Sequence, residues 1–268
     1  MKLRDKIREL DFWKILDNVI YQSHILLEIA DARMPELTRN KRIEDEIEKS
    51  KKVFILVLNK SDLITRKMRD DFLMNSNLER VVFVSCKNKS DISHLKRMIW
   101  DISKKMPHWK EVRIGVVGYP NTGKSSVINA LTGRYTARTS SVAGLTRGIQ
   151  WIKGNGNLLY LDSPGTIPLK DKDEIEKGLM SAIDPSKIKR PDLVAAKIIE
   201  LFLKNRKDVL EKFYGVKIET DDPLEIILDI GRRKNFLGKG GKIDESRTSV
   251  AIINDWQKGK LLLNSEIM

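Results

Sequence analysis

Gly118-Tyr-Pro-Asn-Thr-Gly-Lys-Ser125 fits the pattern G-x-x-x-x-G-K-[ST], and it decides how the rest of the chain is read. Such a loop wraps phosphates with its backbone N–H groups when it joins a strand to the start of a helix. Both flanks are present. Residues 112–117 form an apolar strand-like run, and residues 123–131 carry a helical pattern. Gly118 and Gly123 allow the turn and close backbone approach. Asn121, Thr122 and Ser126 complete the expected cradle, Lys124 would reach the terminal phosphates, and Ser125 would ligate Mg²⁺.

Outward from this loop, strand and helix signals alternate. Residues 3–21 carry a helical apolar stripe, 24–30 read as a strand, 39–51 as a charged helix, and 53–58 as a continuous apolar strand buried on both faces. A helix over 65–74, a strand over 81–84 and a helix over 91–105 follow. Beyond the glycine loop, 149–152 and 158–161 read as a hairpin across Gly154-Asn-Gly156. The pattern predicts an α/β fold, a doubly wound and mostly parallel sheet, over residues 1–171. After Leu169 only helical patterns remain, punctuated by Pro185, Pro191 and Pro223, so residues 172–268 are expected to form a smaller all-α domain.

Ligands of such sheets bind beyond the carboxyl ends of the strands, and every candidate motif falls at such an end. Asp162, in Leu161-Asp-Ser-Pro-Gly165, can hold the hydration shell of Mg²⁺, and the Gly165 N–H can meet a γ-phosphate. Thr146 is the favoured residue to close over the metal, with Thr139 as its rival. Asn59-Lys60-Ser61-Asp62 ends the 53–58 strand. The Asp62 carboxylate can accept from the N1 and N2 hydrogens of guanine, an edge that adenine lacks, and mismatched buried polar groups discriminate strongly. Lys60 can lie along the base. Ser85-Cys86-Lys87 suits a second contact in which a backbone N–H meets the guanine O6, although a plain strand end explains Cys86 equally well.

The base-reading motif precedes the phosphate loop, the reverse of the usual order in a guanine-nucleotide switch. DARMP, LNKSDL, SCK, GYPNTGKSS, GLTRGIQW and LDSPG, in that order, resemble the circularly permuted GTPases of the YlqF/RbgA (YawG) type. The tail from Gly231 onward is similar to that family's helical C-terminal region. The resemblance implies a GTP- and GDP-binding factor that assists large ribosomal subunit assembly and contacts rRNA. It also implies a possible K⁺ contact at Asn121 beside the phosphates, against which stands plain loop geometry. In the permuted order the segment after Gly165 runs directly into the helical region, so γ-phosphate contact there is expected to act on that region.

Composition agrees with a polyanionic partner. The net charge is +13, divided as −1 over residues 1–50, +12 over 51–171 and +2 over 172–268. Residues 134–153 and 231–242 contain no acid, and Arg232, Arg233, Lys234, Lys239 and Lys242 are candidate RNA contacts. A merely solvated basic face would leave a GTP-regulated switch for a protein or tRNA-processing partner; an ATP-using enzyme is disfavoured by Asp62. No apolar run reaches the roughly 18 to 20 residues that span a bilayer, and the first residues lead into mixed charge, so a cytoplasmic location without membrane contact is expected. One cysteine permits no internal disulfide. The group that activates water stays unassigned. Thr166 follows Gly165 where a glutamine would orient the nucleophile, the first helix lacks the histidine of some relatives, and His24, His94 and His108 are weak candidates. Slow intrinsic turnover is the consequence.

Overall fold

The computed structural model describes residues 3–106, 108–133, 150–162, 167, 169 and 172–264, with side chains from residue 13 onward apart from those of residues 150 and 162. Two compact units are formed, residues 1–62 with 66–168, and residues 63–65 with 169–268. Among the described residues, no helix is long and apolar enough to cross a membrane.

In the first unit the order is α1 (Leu3–Gln22), β1 (Ile25–Asp31), α2 (Pro35–Thr38), α3 (Lys41–Lys49), β2 (Val53–Asn59), α4 (Arg66–Asn75), β3 (Val81–Val84) and α5 (Lys89–Lys104). There follow β4 (Val112–Val117), α6 (Lys124–Thr132), β5 (Gln150–Lys153) and β6 (Leu158–Asp162). The sheet order is β3-β2-β1-β4-β6-β5, with all pairs parallel except β5 with β6. This is the doubly wound α/β arrangement expected from the alternating pattern.

Burial follows the sequence pattern closely. Every residue of β1 is buried, as an interior strand covered on both faces requires. In β4, Val112, Ile114 and Val116 point into the core with Leu158 and Tyr160 of β6, whereas Arg113 is exposed. On the helices, Ile43 and Ile47 of α3 and Ile92, Leu95 and Ile99 of α5 supply buried stripes at helical spacing. Local chemistry fixes the helix starts. The Asn40 side chain accepts from the Ile43 N–H, and that of Asn88 from the Ser90 N–H, so α5 begins at Lys89 rather than at Asp91.

The second unit contains α7 (Glu174–Leu179), α8 (Pro191–Asn205), α9 (Lys207–Tyr214), α10 (Pro223–Arg233) and α11 (Glu245–Gln257). Its centre is the α8–α11 pair, where Phe202 meets Trp256 edge to face at 6.2 Å. The Trp256 indole N–H donates to the Leu179 carbonyl at 3.0 Å, which satisfies the one polar atom of a fully buried ring. Asp173 and Glu176 close α7 with a reciprocal capping box.

Candidate nucleotide site

The apolar run of β2 carries Asn59 to its carboxyl end, 4% exposed. Its Nδ2 donates to the Thr122 carbonyl at 2.9 Å, and its Oδ1 accepts from the Cys86 thiol at 3.4 Å. One amide therefore ties together the loops after β2, β3 and β4. Gly123 is required by this packing: its φ is +96°, and an added Cβ would lie 2.2 Å from Asn59 Nδ2.

The phosphate loop has an equally specific form. Gly118 has φ +144°, and a Cβ there would meet the Ile29 carbonyl oxygen at 2.3 Å. Asn121 adopts φ +62°, a left-handed conformation that asparagine tolerates. The Thr122 hydroxyl donates to the Tyr119 carbonyl at 2.9 Å. Lys124 is buried, its ammonium donating to the carbonyls of Gly118 and Tyr119 at 2.9 and 2.8 Å. Ser125 and Ser126 occupy the first turn of α6, both half-buried. The Tyr119 hydroxyl accepts from Asn40 Nδ2 at 3.0 Å and so anchors the loop to the start of α3.

Lys60, at φ +64°, turns its ammonium back to Asp31 Oδ2 at 2.7 Å. Arg33 grips the same carboxylate with Nε at 3.0 Å and Nη2 at 2.8 Å. Burial alone would raise the Asp31 pKa, but the charges of Arg33 and then Lys60 outweigh it and hold the carboxyl far below the usual range. The Lys60 pKa is lowered by burial, with Asp31 opposing the shift. Asp62 lies nearer solvent. Its pKa is depressed because hydrogen bonds from Lys87 and Ser85 overcome its burial, and the Lys87 ammonium stands 2.9 Å away. Asp91 Oδ2 accepts from the Ser85 N–H at 2.9 Å and fixes the third loop. Burial, helped by the Asp62 charge, pushes the Cys86 thiol up to about 11, so it remains a donor at neutral pH.

A family described as "50S ribosome-binding GTPase" matches residues 113–229. An "uncharacterized GTP-binding protein MJ1464" of Methanocaldococcus jannaschii is 38% identical over 248 residues, covering 92% of this chain and 65% of that protein. "Nucleolar GTP-binding protein 2" of Pneumocystis carinii is 30% identical over 255 residues, covering 93% and 52%. The chain thus spans about half to two thirds of the length of these relatives. Among solved structures, GNP-bound YlqF from T. maritima superposes with a TM-score of 0.59 at 22% identity, covering 94% of this chain and 96% of that one, and so shares its fold. The chain shares the fold of YlqF, and in sequence it is similar to GTP-binding proteins.

The structure brings Asn59, Lys60, Asp62, Ser85, Cys86 and Lys87 to one end of the sheet with residues 118–126. β6 ends at Asp162, in register with Val116 of β4, so its backbone arrives at the same end. Gly165, Thr146 and Thr139 lie outside the described residues. A hydroxyl on the first turn of α6 and one carboxylate-bearing strand end suit Mg²⁺, which keeps several waters and takes phosphate oxygens rather than an all-protein cage. Among the described residues there is no cluster of three His, Cys, Asp or Glu to favour another metal. His24 precedes β1, and its Nδ1 accepts from the Arg113 N–H at 3.0 Å; His94 and His108 are exposed.

In the helical unit, Arg232, Arg233, Lys234, Lys239 and Lys242 are all exposed. Leu237 and Ile243 form an antiparallel bridge, and Lys239 and Lys242 flank its tip at Gly240 and Gly241. Arg232 pairs with Asp229. The pairings of Asp31 with Lys60 and of Tyr119 with Asn40 were not visible in the motifs, since the partners are distant in sequence; Arg33 and Asp91 act on near neighbours, Asp31 and Ser85, but only the folded turn brings the groups into contact.

Proposed function

We propose that the chain binds GTP and GDP, hydrolyses GTP to GDP and phosphate slowly, and acts as a switch in large ribosomal subunit assembly through rRNA contact in the cytoplasm. The observation that carries the nucleotide assignment is the Asn59 amide, which joins the base-reading loop to the Thr122 carbonyl of the phosphate loop. Asp62, ionised at neutral pH, accepts from the guanine N1 and N2 hydrogens, Lys60 lies along the base, and the 85–87 loop offers its backbone to O6. Asn121, Thr122, Gly123, Ser126 and Gly165 hold the phosphates with Lys124. Ser125, Thr146 and Asp162 would hold Mg²⁺, which neutralises phosphate charge when bound. Asn121 would share a K⁺ ion beside the phosphates.

The printed descriptions of the relatives, a 50S ribosome-binding family and nucleolar GTP-binding proteins, support the ribosomal part of this reading. So do the exposed cations of residues 231–242. Co-sedimentation with purified large-subunit precursors, with GTP and with GDP and across a salt series, tests it. Binding should fall steeply with salt. Replacing Lys239 and Lys242 with serine should reduce the slope of log affinity against log salt by about 1 to 2. Guanine-specific nucleotide binding without co-sedimentation would instead favour a switch for a protein or tRNA-processing partner.

A further inference from the structure

We infer that the exposed face of the sheet around Trp109, Arg113 and Trp151 is a stacking platform for unpaired nucleotides of a single-stranded RNA. The inference goes beyond the nucleotide site and does not depend on the cations of the helical unit.

Three observations carry it. First, two tryptophans are left open in one region, Trp109 54% and Trp151 36% exposed. Large aromatic rings held open on a surface mark binding sites more often than single aliphatic side chains do. Second, both rings are pre-oriented. Trp109 packs against His24 with centroids 4.1 Å apart and the rings tilted by 33°, His24 is held by the Arg113 N–H, and the Arg113 guanidinium lies 5.3 Å from the centre of the Trp151 ring. Arg113 thus links the two rings, its backbone steering one and its side chain covering the other. Third, the surroundings are cationic. Strand register sets Arg113, Leu159 and Lys153 in one row, with Trp151 on the same face as Lys153. Arg113, Lys153 and Lys110 are exposed, and Glu111 is the acid of that segment.

Rings for base faces, interleaved with cations for the backbone, match the chemistry by which proteins hold unpaired strands. A duplex would present its bases only as edges and gain nothing from the rings. The platform begins at the strand entry beside His24 and Arg113, whereas the phosphate loop follows Val117. At about 3.3 Å per residue, that separates Arg113 from the loop by on the order of 15 Å. RNA and nucleotide can therefore be held together.

The test uses the full chain with GDP and a labelled oligouridylate of roughly a dozen nucleotides, a length suited to such a surface, followed by anisotropy. Trp109→Ala and Trp151→Ala should each weaken binding by roughly 5-fold or more, with GDP affinity and melting temperature unchanged. Trp109→Phe and Trp151→Phe, which keep a ring, should retain most of the affinity. Lys239→Ser should not reproduce the alanine effect, which separates this surface from the helical unit. Unchanged oligouridylate affinity in both alanine variants would overturn the inference. So would equal affinity for a hairpin duplex of similar length, or no measurable binding by the wild type at low salt.

Discussion

The Lys60 ammonium stands 2.7 Å from Oδ2 of the buried Asp31 carboxylate, whose two oxygens Arg33 also holds. The residue that lies along the base in the proposed complex is thus positioned by the end of a different strand. Asp31→Asn keeps the shape but removes the carboxylate charge that Arg33 and Lys60 share. Removing one partner of a buried charge cluster costs about 3 to 5 kcal/mol. The melting temperature should fall and GDP affinity should weaken, measurable by calorimetry. Because the folded pKa of Asp31 lies below its unfolded value, its contribution is complete above the ordinary carboxylate value of about 3.9 and is lost progressively as pH falls from there through the folded pKa. The wild type should therefore lose more stability than the variant as pH drops below about 4.

Asp62→Asn exchanges one carboxylate oxygen for an amide N–H₂. Guanine then faces a donor with its own N2 hydrogens, whereas xanthine presents a carbonyl there. Competition binding should show GDP weakened by roughly 100-fold or more, while xanthosine diphosphate gains. Unchanged preference would remove Asp62 from base recognition.

Gly123→Ala places a methyl group 2.2 Å from Asn59 Nδ2 at a φ of +96°. Backbone strain of this kind costs about 1 to 3 kcal/mol before the clash is counted. Nucleotide titration should show affinity reduced tenfold or more, with a lower melting temperature. Gly133→Ala provides the comparison, since a Cβ there meets nothing within 4 Å, although its positive φ still carries strain.

Glu28 is fully buried on β1, with Oε1 accepting the Asn40 N–H at 2.7 Å. Burial, and next the charge of Glu44, raise its pKa well above the usual value. The unfolded chain therefore releases this proton first, so stability should decline as pH climbs from about 4.3 toward the folded pKa. Glu28→Gln keeps the acceptor and has no proton to lose. Its melting temperature should vary less with pH and exceed that of the wild type near about pH 8, by scanning calorimetry.

The parts of the fold that were legible in the sequence are those whose cause is local. The unbroken run of β2 can only be a doubly covered strand, and it delivers Asn59 to the sheet end. Alternation through Val112, Arg113 and Ile114 exposes the arginine, and the two loop glycines answer to the close approach of Ile29 and Asn59. What escaped the sequence depends on partners brought together by folding. Asp31 and Lys60 are separated by 28 intervening residues, and DARMP, though part of the motif order, does not say which groups its charges meet. Cys86 fits a plain strand end, yet its thiol serves Asn59. The helix Pro35–Thr38 is too short for periodicity to reveal, and nothing local announces that Trp109 packs against His24.

The strand order β3-β2-β1-β4-β6-β5 divides the sheet so that the first three strands of the chain form one side and the last three the other, meeting at the β1–β4 seam. In chain order the half carrying Asn59 and Asp62 precedes the phosphate loop. It can pair its own three strands, but it has no ligand to hold until Val112–Val117 closes the seam and Thr122 reaches Asn59. β6 and β5 join later still, so the Asn59–Thr122 link forms before the sheet is complete, and a chain interrupted before β4 carries Asn59 without its Thr122 partner.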